Sequence, residues 1–265
     1  MERGDRPTLT LFRDGFPDPP PMDTAVSSVL LHRVSDGSMP DLLRLHRPGA
    51  IVAFGPKDRH EPGFARAVAA AREQGFGAIE RLAGGRAAVF HEGTLAFSWV
   101  THDPDPRPGI RRRFDEVAGL MVEAFVSLGV DARAGEVPGE YCPGEHSVNA
   151  RGRTKLAGLG QRMVAHAAHL GGVVVVSRSD LVRDVLVPVY DRLGLGWIPA
   201  TAGALADERP SVTWEEAESA VLAAFGSRHE LWEEEVFSPG TLDLAATLAE
   251  RHAIGEPQAS PSPGG

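Results

Sequence analysis

The run Gly171-Gly-Val-Val-Val-Val176 constrains the fold more than any other feature of the chain. Its residues are apolar and largely β-branched without alternation, so neither side offers a polar face to water, and it reads as a strand covered on both faces. Such a strand needs a sheet with further layers on either side. Helical patterns are present to supply them. Phe114, Val117, Met121, Ala124, Phe125 and Leu128 keep one helical face that Gly129 closes. Met22, Val26, Val29 and Leu30 mark another helix, and Phe64, Val68 and Ala71 a third, ended by Gly75 and Gly77. Further helices are expected at 179–187, 213–225 and 241–253, and further strands at 50–55 and 95–101. Strands interleaved with helices predict a mixed α/β or α+β domain around a central sheet.

The Pro-rich stretches 17–21 and 256–265 interrupt this pattern and cannot continue a helix or sheet. Residues 1–21 are therefore expected to lead into a single domain spanning 22–255, and 256–265 to form a disordered tail. The 265 residues carry a net charge of -9, which argues against a nucleic-acid partner. No apolar run approaches the roughly 20 residues needed to span a bilayer, and the first residues lack the apolar core of a secretory signal, so a cytoplasmic location is expected. The lone cysteine, Cys142, agrees with a reducing compartment. No set of His, Cys and carboxylate residues has zinc-ligand spacing, so no metal is expected. Gly194-Leu-Gly196 lacks a third glycine and is read as a loop.

Two stretches concentrate chemistry. In the first, 80–98, the pair Gly84-Gly85 lies between Arg81 and Arg86. The pair admits two readings: a hairpin turn, or a backbone brought close to a bound carboxyl or phosphate. His91 is likewise open between a structural residue and an acid or base. In the second, 140–162, Arg151-Gly-Arg153 reads as a hairpin turn that places Lys155 on the return strand, facing Cys142 and its loop. Cys142 is either a small buried hydrophobe or a nucleophile, and a nearby cation would favour its thiolate and stabilise an oxyanion. The basic groups around Arg111 to Arg113 and Arg151 to Arg162 read as a solvated face or as docking sites for an acidic partner.

The order of residues in these stretches resembles a known family. Arg81-Leu-Ala-Gly-Gly-Arg-Ala-Ala-Val-Phe-His-Glu92 followed by Ser98 is similar to the arginine, glycine-pair, Val-x-His-Asp/Glu and serine signature of lipoate-protein ligases and octanoyltransferases. Lys155-Leu-Ala-Gly-Leu-Gly-Gln161 is similar to that family's Gly-Arg-Lys-x-x-Gly-x-x-Gln segment, and the likeness runs from about residue 22 to about 190. It implies an α+β catalytic domain of the biotin/lipoate protein ligase type, with a central, largely antiparallel sheet flanked by helices. It further implies catalytic roles for Cys142 and Lys155, and an acyl pocket formed by Arg81, Gly84, Gly85, Val89, His91, Gly158 and Gln161.

Two mechanisms follow from the resemblance. The cysteine-dependent octanoyltransferases place their nucleophile a dozen or so residues before the motif lysine, and Cys142 stands thirteen before Lys155. Such a chain moves an octanoyl or lipoyl group from acyl carrier protein, through a cysteine thioester, to a lysine of a lipoyl domain or the glycine cleavage H protein. It needs no cofactor. The alternatives are a lipoate-protein ligase, which uses ATP and Mg²⁺ to form lipoyl-AMP, and a binding module without turnover. The sequence departs from the family at Glu80, where an arginine is usual, at Ala83, where Ser or Thr is usual, and at Gly171, where the usual residue is His. His166 and His169 are the candidates to replace that imidazole.

Overall fold

The computed structural model describes residues 6–234 and 236–255; the expected tail at 256–265 lies outside the described residues. Among the described residues, eleven strands fall into two sheets. The larger contains β1 (Thr8–Phe12), β2 (Leu42–His46), β6 (Thr94–His102), β7 (Ala132–Ala134), β8 (Val148–Ala150), β9 (Thr154–Met163), β10 (Ala167–Val175) and β11 (Glu230–Glu233). Their order across the sheet is β11-β1-β2-β6-β10-β9-β8-β7. β1 runs parallel to both of its neighbours, and the other pairings are antiparallel. The smaller sheet, in the order β4-β3-β5, comprises β3 (Ile51–Phe54), β4 (Gly77–Glu80) and β5 (Ala88–Phe90).

β10 occupies the position that its composition demands, hydrogen-bonded between β6 and β9 and buried along nearly all its length. The period-2 alternation of β2, β6 and β10 sends their side chains to two cores. Leu43, Leu45, Leu95, Phe97, Trp99, Leu170 and Val174 pack under α3 (Ile110–Ser127) and α6 (Trp214–Arg228). Leu42 and Val100 pack on the other side with α1 (Met22–Ser35) and α7 (Pro239–His252). α2 (Phe64–Glu73) and α4 (Ser179–Leu193) cover the small sheet, and the four-residue α5 (Leu205–Glu208) precedes α6.

Two differences from the sequence reading matter for the site. Residues 8–12 do not merely lead into the domain. They form β1 inside the large sheet, because Thr8-Leu-Thr-Leu-Phe12 alternates ahead of the prolines and pairs with β2 on one side and β11 on the other. The Gly84-Gly85 loop is no hairpin either: β4 and β5 lie on opposite sides of β3, so the loop crosses the end of that strand. By contrast, Arg151-Gly-Arg153 is a tight three-residue hairpin connection with Arg151 and Gly152 at positive φ, 54° and 69°, and it sets Lys155 on β9. Among the described residues, no helix is long and apolar enough to cross a membrane.

Candidate active site

Two cavities meet where the two sheets face each other. The larger, about 380 Å³, is lined by Cys142, Lys155, Gly84, Gly85, Gly158 and Gln161 among others. The smaller, about 80 Å³, is bounded on one side by Ile51, Ala53, Ile79 and Phe90 of the small sheet. Its other side is Ser27 of α1 with His46, Ser98, His169 and Gly171 of the large sheet. Arg81, Phe90 and Gly172 line both, so the cavities adjoin at these three residues.

Cys142 sits in the larger cavity with a backbone φ of 41°, a left-handed conformation that is uncommon outside glycine. Both of its backbone groups are pinned. Its N–H donates to the Tyr190 hydroxyl at 2.8 Å, and its carbonyl accepts from Lys155 Nζ at 2.8 Å. Tyr190 in turn donates to the Ala87 carbonyl at 3.0 Å. Burial and the neighbouring Cys142 hold the phenol well above its usual pKa, so it stays an O–H donor. Two donors converge on the sulfur: the Arg86 backbone N–H at 3.1 Å and Arg81 Nη1 at 3.6 Å. Gly85, at φ 113°, makes this approach possible, because a Cβ there would lie 2.9 Å from Sγ and 2.8 Å from Arg81 Nη1.

Lys155 does not face the thiol in the way its spacing suggests. Its Nζ bonds Glu140 Oε1 at 2.9 Å, the Tyr141 carbonyl at 3.1 Å and the Cys142 carbonyl at 2.8 Å, which accounts for all three ammonium hydrogens. Buried Glu140 is equally occupied, accepting from Lys155, Ser147 and Gly144 on one oxygen and from the Val137 N–H on the other. The cation beside the sulfur is therefore Arg81. The side chain of Arg86 turns away to Asp58 and Glu61, at 3.2 and 2.7 Å.

Gln161 completes this wall. Its Oε1 accepts from Arg113 Nε and Nη2 at 3.1 and 2.9 Å. Arg113 is buried and also bonds Asp103, so the basic run at 111–113 is not a continuous docking patch. Arg111 and Arg112 are exposed but pair with Asp115, Glu145 and Glu116.

Two residues expected in the pocket lie elsewhere. Ala88 and Phe90 of β5 face the larger cavity, so Val89 between them points to the opposite side and packs with the α2 and α4 core. His91 stitches the β5–β6 turn: its Nδ1 accepts from the Gly93 N–H at 3.0 Å. Burial, and to a lesser extent Arg178, pushes its pKa down to about 4.

Two of the departures from the family pattern, at Glu80 and Gly171, also find an explanation. Glu80 is neutralised by Arg59 at 2.5 Å and does not line the cavity that holds Cys142. At Gly171 a Cβ would lie 2.6 Å from His169 Cε1, so the His169 ring fills the space above that glycine from two residues upstream on the same face. His169 Nε2 lies 2.9 Å from Ser98 Oγ, while its Nδ1 has no partner among the described residues. Burial, assisted by Arg81 and Arg44, pushes its pKa down to about 4, which keeps the imidazole neutral. His46, across the same small cavity, also has an unpartnered Nδ1. His166 lies exposed at the surface, against the Pro104 carbonyl.

Three of these groups escaped sequence reasoning. Glu140 opens the motif stretch but carries no spacing signal of its own, Arg113 was hidden within a basic run, and Tyr190 falls on the apolar face of α4. The chain has only two tyrosines, and both Tyr141 and Tyr190 flank Cys142. That was the available clue.

The fold and this paired cavity define a class that comparison with known proteins identifies. Residues 19–226 match the family model described as the lipoyl protein ligase A/B catalytic domain, and the chain belongs to that family. It is 27% identical over 170 residues to an octanoyl-[GcvH]:protein N-octanoyltransferase of Geobacillus kaustophilus, a match covering 64% of this chain and 60% of that protein. Among solved structures it resembles a T. acidophilum protein with bound lipoic acid, at a TM-score of 0.74 and 20% identity. It also resembles a lipoate-protein ligase A bound with ATP, at 0.72 and 20%. Each of these two matches covers 92% of this chain and 95% of the other.

Proposed function

We propose that the chain is a protein octanoyltransferase that carries the acyl group on Cys142. The single observation behind this reading is the convergence on Cys142 Sγ of the Arg86 N–H and the Arg81 guanidinium, in a cavity that adjoins a narrower chamber with one apolar wall. In this reading the donor's acyl carbonyl enters the larger cavity and its hydrocarbon runs past Phe90 and Gly172. Sγ attacks the carbonyl carbon, the C–S bond forms, and the tetrahedral oxyanion collapses as the donor's leaving group departs with a proton. A lysine amine of an acceptor domain then attacks the thioester, an amide forms, and Cys142 leaves as the thiolate. Arg81 offsets negative charge at the sulfur and at the oxyanion, and Lys155 acts by fixing the Cys142 loop.

The name of the Geobacillus relative places the octanoyl group on GcvH and its acceptor on a protein nitrogen, so octanoylated H protein is the proposed donor and a lipoyl domain the proposed acceptor. Octanoyl-acyl carrier protein is the other donor to try. The test is the intact mass of the purified chain after incubation with each donor and no ATP. The expected outcome is one octanoyl adduct that is absent from Cys142→Ser. Modification of the lipoyl domain by Cys142→Ser, or only when ATP is added, would sink the proposal.

A further inference from the structure

Resting on that reading, one step of the transfer still lacks a residue. The incoming lysine must lose a proton as its nitrogen bonds to the thioester carbonyl, and a group at the cavity must accept it. Lys155 has all three hydrogens committed. Glu140 receives four donors and is buried. Arg81 remains a cation and cannot serve as a base, and Glu145, the other carboxylate at the cavity, is exposed and pairs with Arg111 at 3.8 Å. His46 and His169 belong to the smaller chamber, on the far side of Phe90 and Gly172.

His146 is different. It lines the same cavity as Cys142, and it lies in the segment that Glu140 fixes through Gly144 and Ser147. Its Nε2 is held by Asp115 Oδ1 at 3.0 Å, and its ring stacks on Phe114 of α3, with centroids 4.9 Å apart. A carboxylate on one imidazole nitrogen fixes the tautomer that leaves the other free to accept a proton. Nδ1 makes no hydrogen bond among the described residues. The charged groups around it are Asp115, Arg111, which lies 3.8 Å from both Asp115 and Glu145, and Glu145 itself.

We infer that His146 is the general base of aminolysis, oriented by Asp115 and Phe114. The lysine enters as the neutral amine after giving one proton to solvent. As its nitrogen bonds to the carbonyl carbon, its second proton passes to His146 Nδ1 and the C–S electron pair leaves on Cys142 Sγ. The imidazolium then returns its proton to the sulfur or to solvent. With an amide-linked donor the first half-reaction is the same chemistry reversed, so the same imidazolium protonates the departing amine.

The test separates the two halves. Cys142 is the only cysteine in the sequence, so an activated octanoyl thioester of thionitrobenzoate loads it without any amine chemistry. Apo lipoyl domain is then added and the octanoyl mass is followed. His146→Gln should load as the wild type does and pass the group on about 100-fold more slowly. Asp115→Asn should show a smaller loss, and added imidazole should restore part of the rate of His146→Ala. Loading from octanoylated H protein should slow in the same variants. Wild-type transfer by His146→Gln would overturn the inference, as would equal loss of loading and transfer without imidazole rescue. A wild-type chain that loads but never transfers would instead bring down the proposed function, and this inference with it.

Discussion

The two adjoining cavities treat their fully buried polar groups in opposite ways. Around Cys142 the supporting groups are spoken for: Glu140, Lys155, Tyr190 and both backbone groups of the cysteine have partners. In the smaller chamber two buried imidazoles, His46 and His169, each keep a nitrogen without one. Saturated hydrogen bonding fixes geometry before a substrate arrives, which a reacting atom requires. An unsatisfied neutral imidazole carries a desolvation cost but can still donate or accept, so the chamber end stays chemically open. The fold thus places rigidity at the sulfur and unspent hydrogen-bonding capacity at the far end.

Breaking the saturated end should have the largest effect. Lys155→Met leaves the buried Glu140 carboxylate without its cation and two carbonyls without a donor. The expected cost is about 3–5 kcal/mol in urea unfolding, with loss of octanoyl loading at Cys142. Adding Glu140→Gln should recover part of that stability, since the uncompensated charge is then gone. A single variant that unfolds within about 1 kcal/mol of the wild type would show that the Lys155 bonds do not hold the loop.

Acid should expose the unsaturated end next. His169 has its pKa pushed from 6.5 to about 4 by burial. The unfolded chain therefore takes up a proton below about pH 6.5 while the folded chain refuses it until about pH 4. Stability is held above that window and falls as pH drops through it, by on the order of 3 kcal/mol for a shift of this size. His91, also lowered to about 4, adds to the same slope. Comparing urea midpoints of wild type and His169→Gln across the window isolates the contribution of His169. Parallel curves for the two proteins would contradict a neutral His169.

How much of this was legible in the sequence follows from what each feature depends on. The strand at 171–176 and the helix at 114–128 declare themselves because burial on two faces or on one stripe leaves a period in composition. β2 did not, since a five-residue strand holding Arg44 and His46 looks polar until Asp23 and the Asp14 carbonyl are seen to satisfy that arginine. Of the pocket residues, those tied to the motif lysine and the glycine pair reach the cavity together. Val89 missed it by strand parity and His91 by a turn, two matters of register that residue identity does not encode. The role of Glu140 depends on the loop's path, and that of Tyr190 on the packing of α4 against the small sheet.

The glycine pair of the larger cavity allows the finest test, because its two members are not equivalent. Gly85 has φ 113° and a would-be Cβ 2.9 Å from Cys142 Sγ, whereas Gly84 has nothing within 4 Å of its Cβ position and no positive φ. Gly85→Ala should cost about 1–3 kcal/mol in backbone strain and alter the alkylation rate of Cys142, because the methyl displaces either the sulfur or Arg81. Gly84→Ala should change stability by less than about 0.5 kcal/mol and leave alkylation at the wild-type rate. Octanoyl loading then decides what Gly84 is for. If loading slows in Gly84→Ala while stability and thiol reactivity hold, the bound acyl group is what requires a bare backbone there. If loading is unchanged, only Gly85 is needed as glycine, and its purpose is to let the sulfur and the guanidinium approach each other.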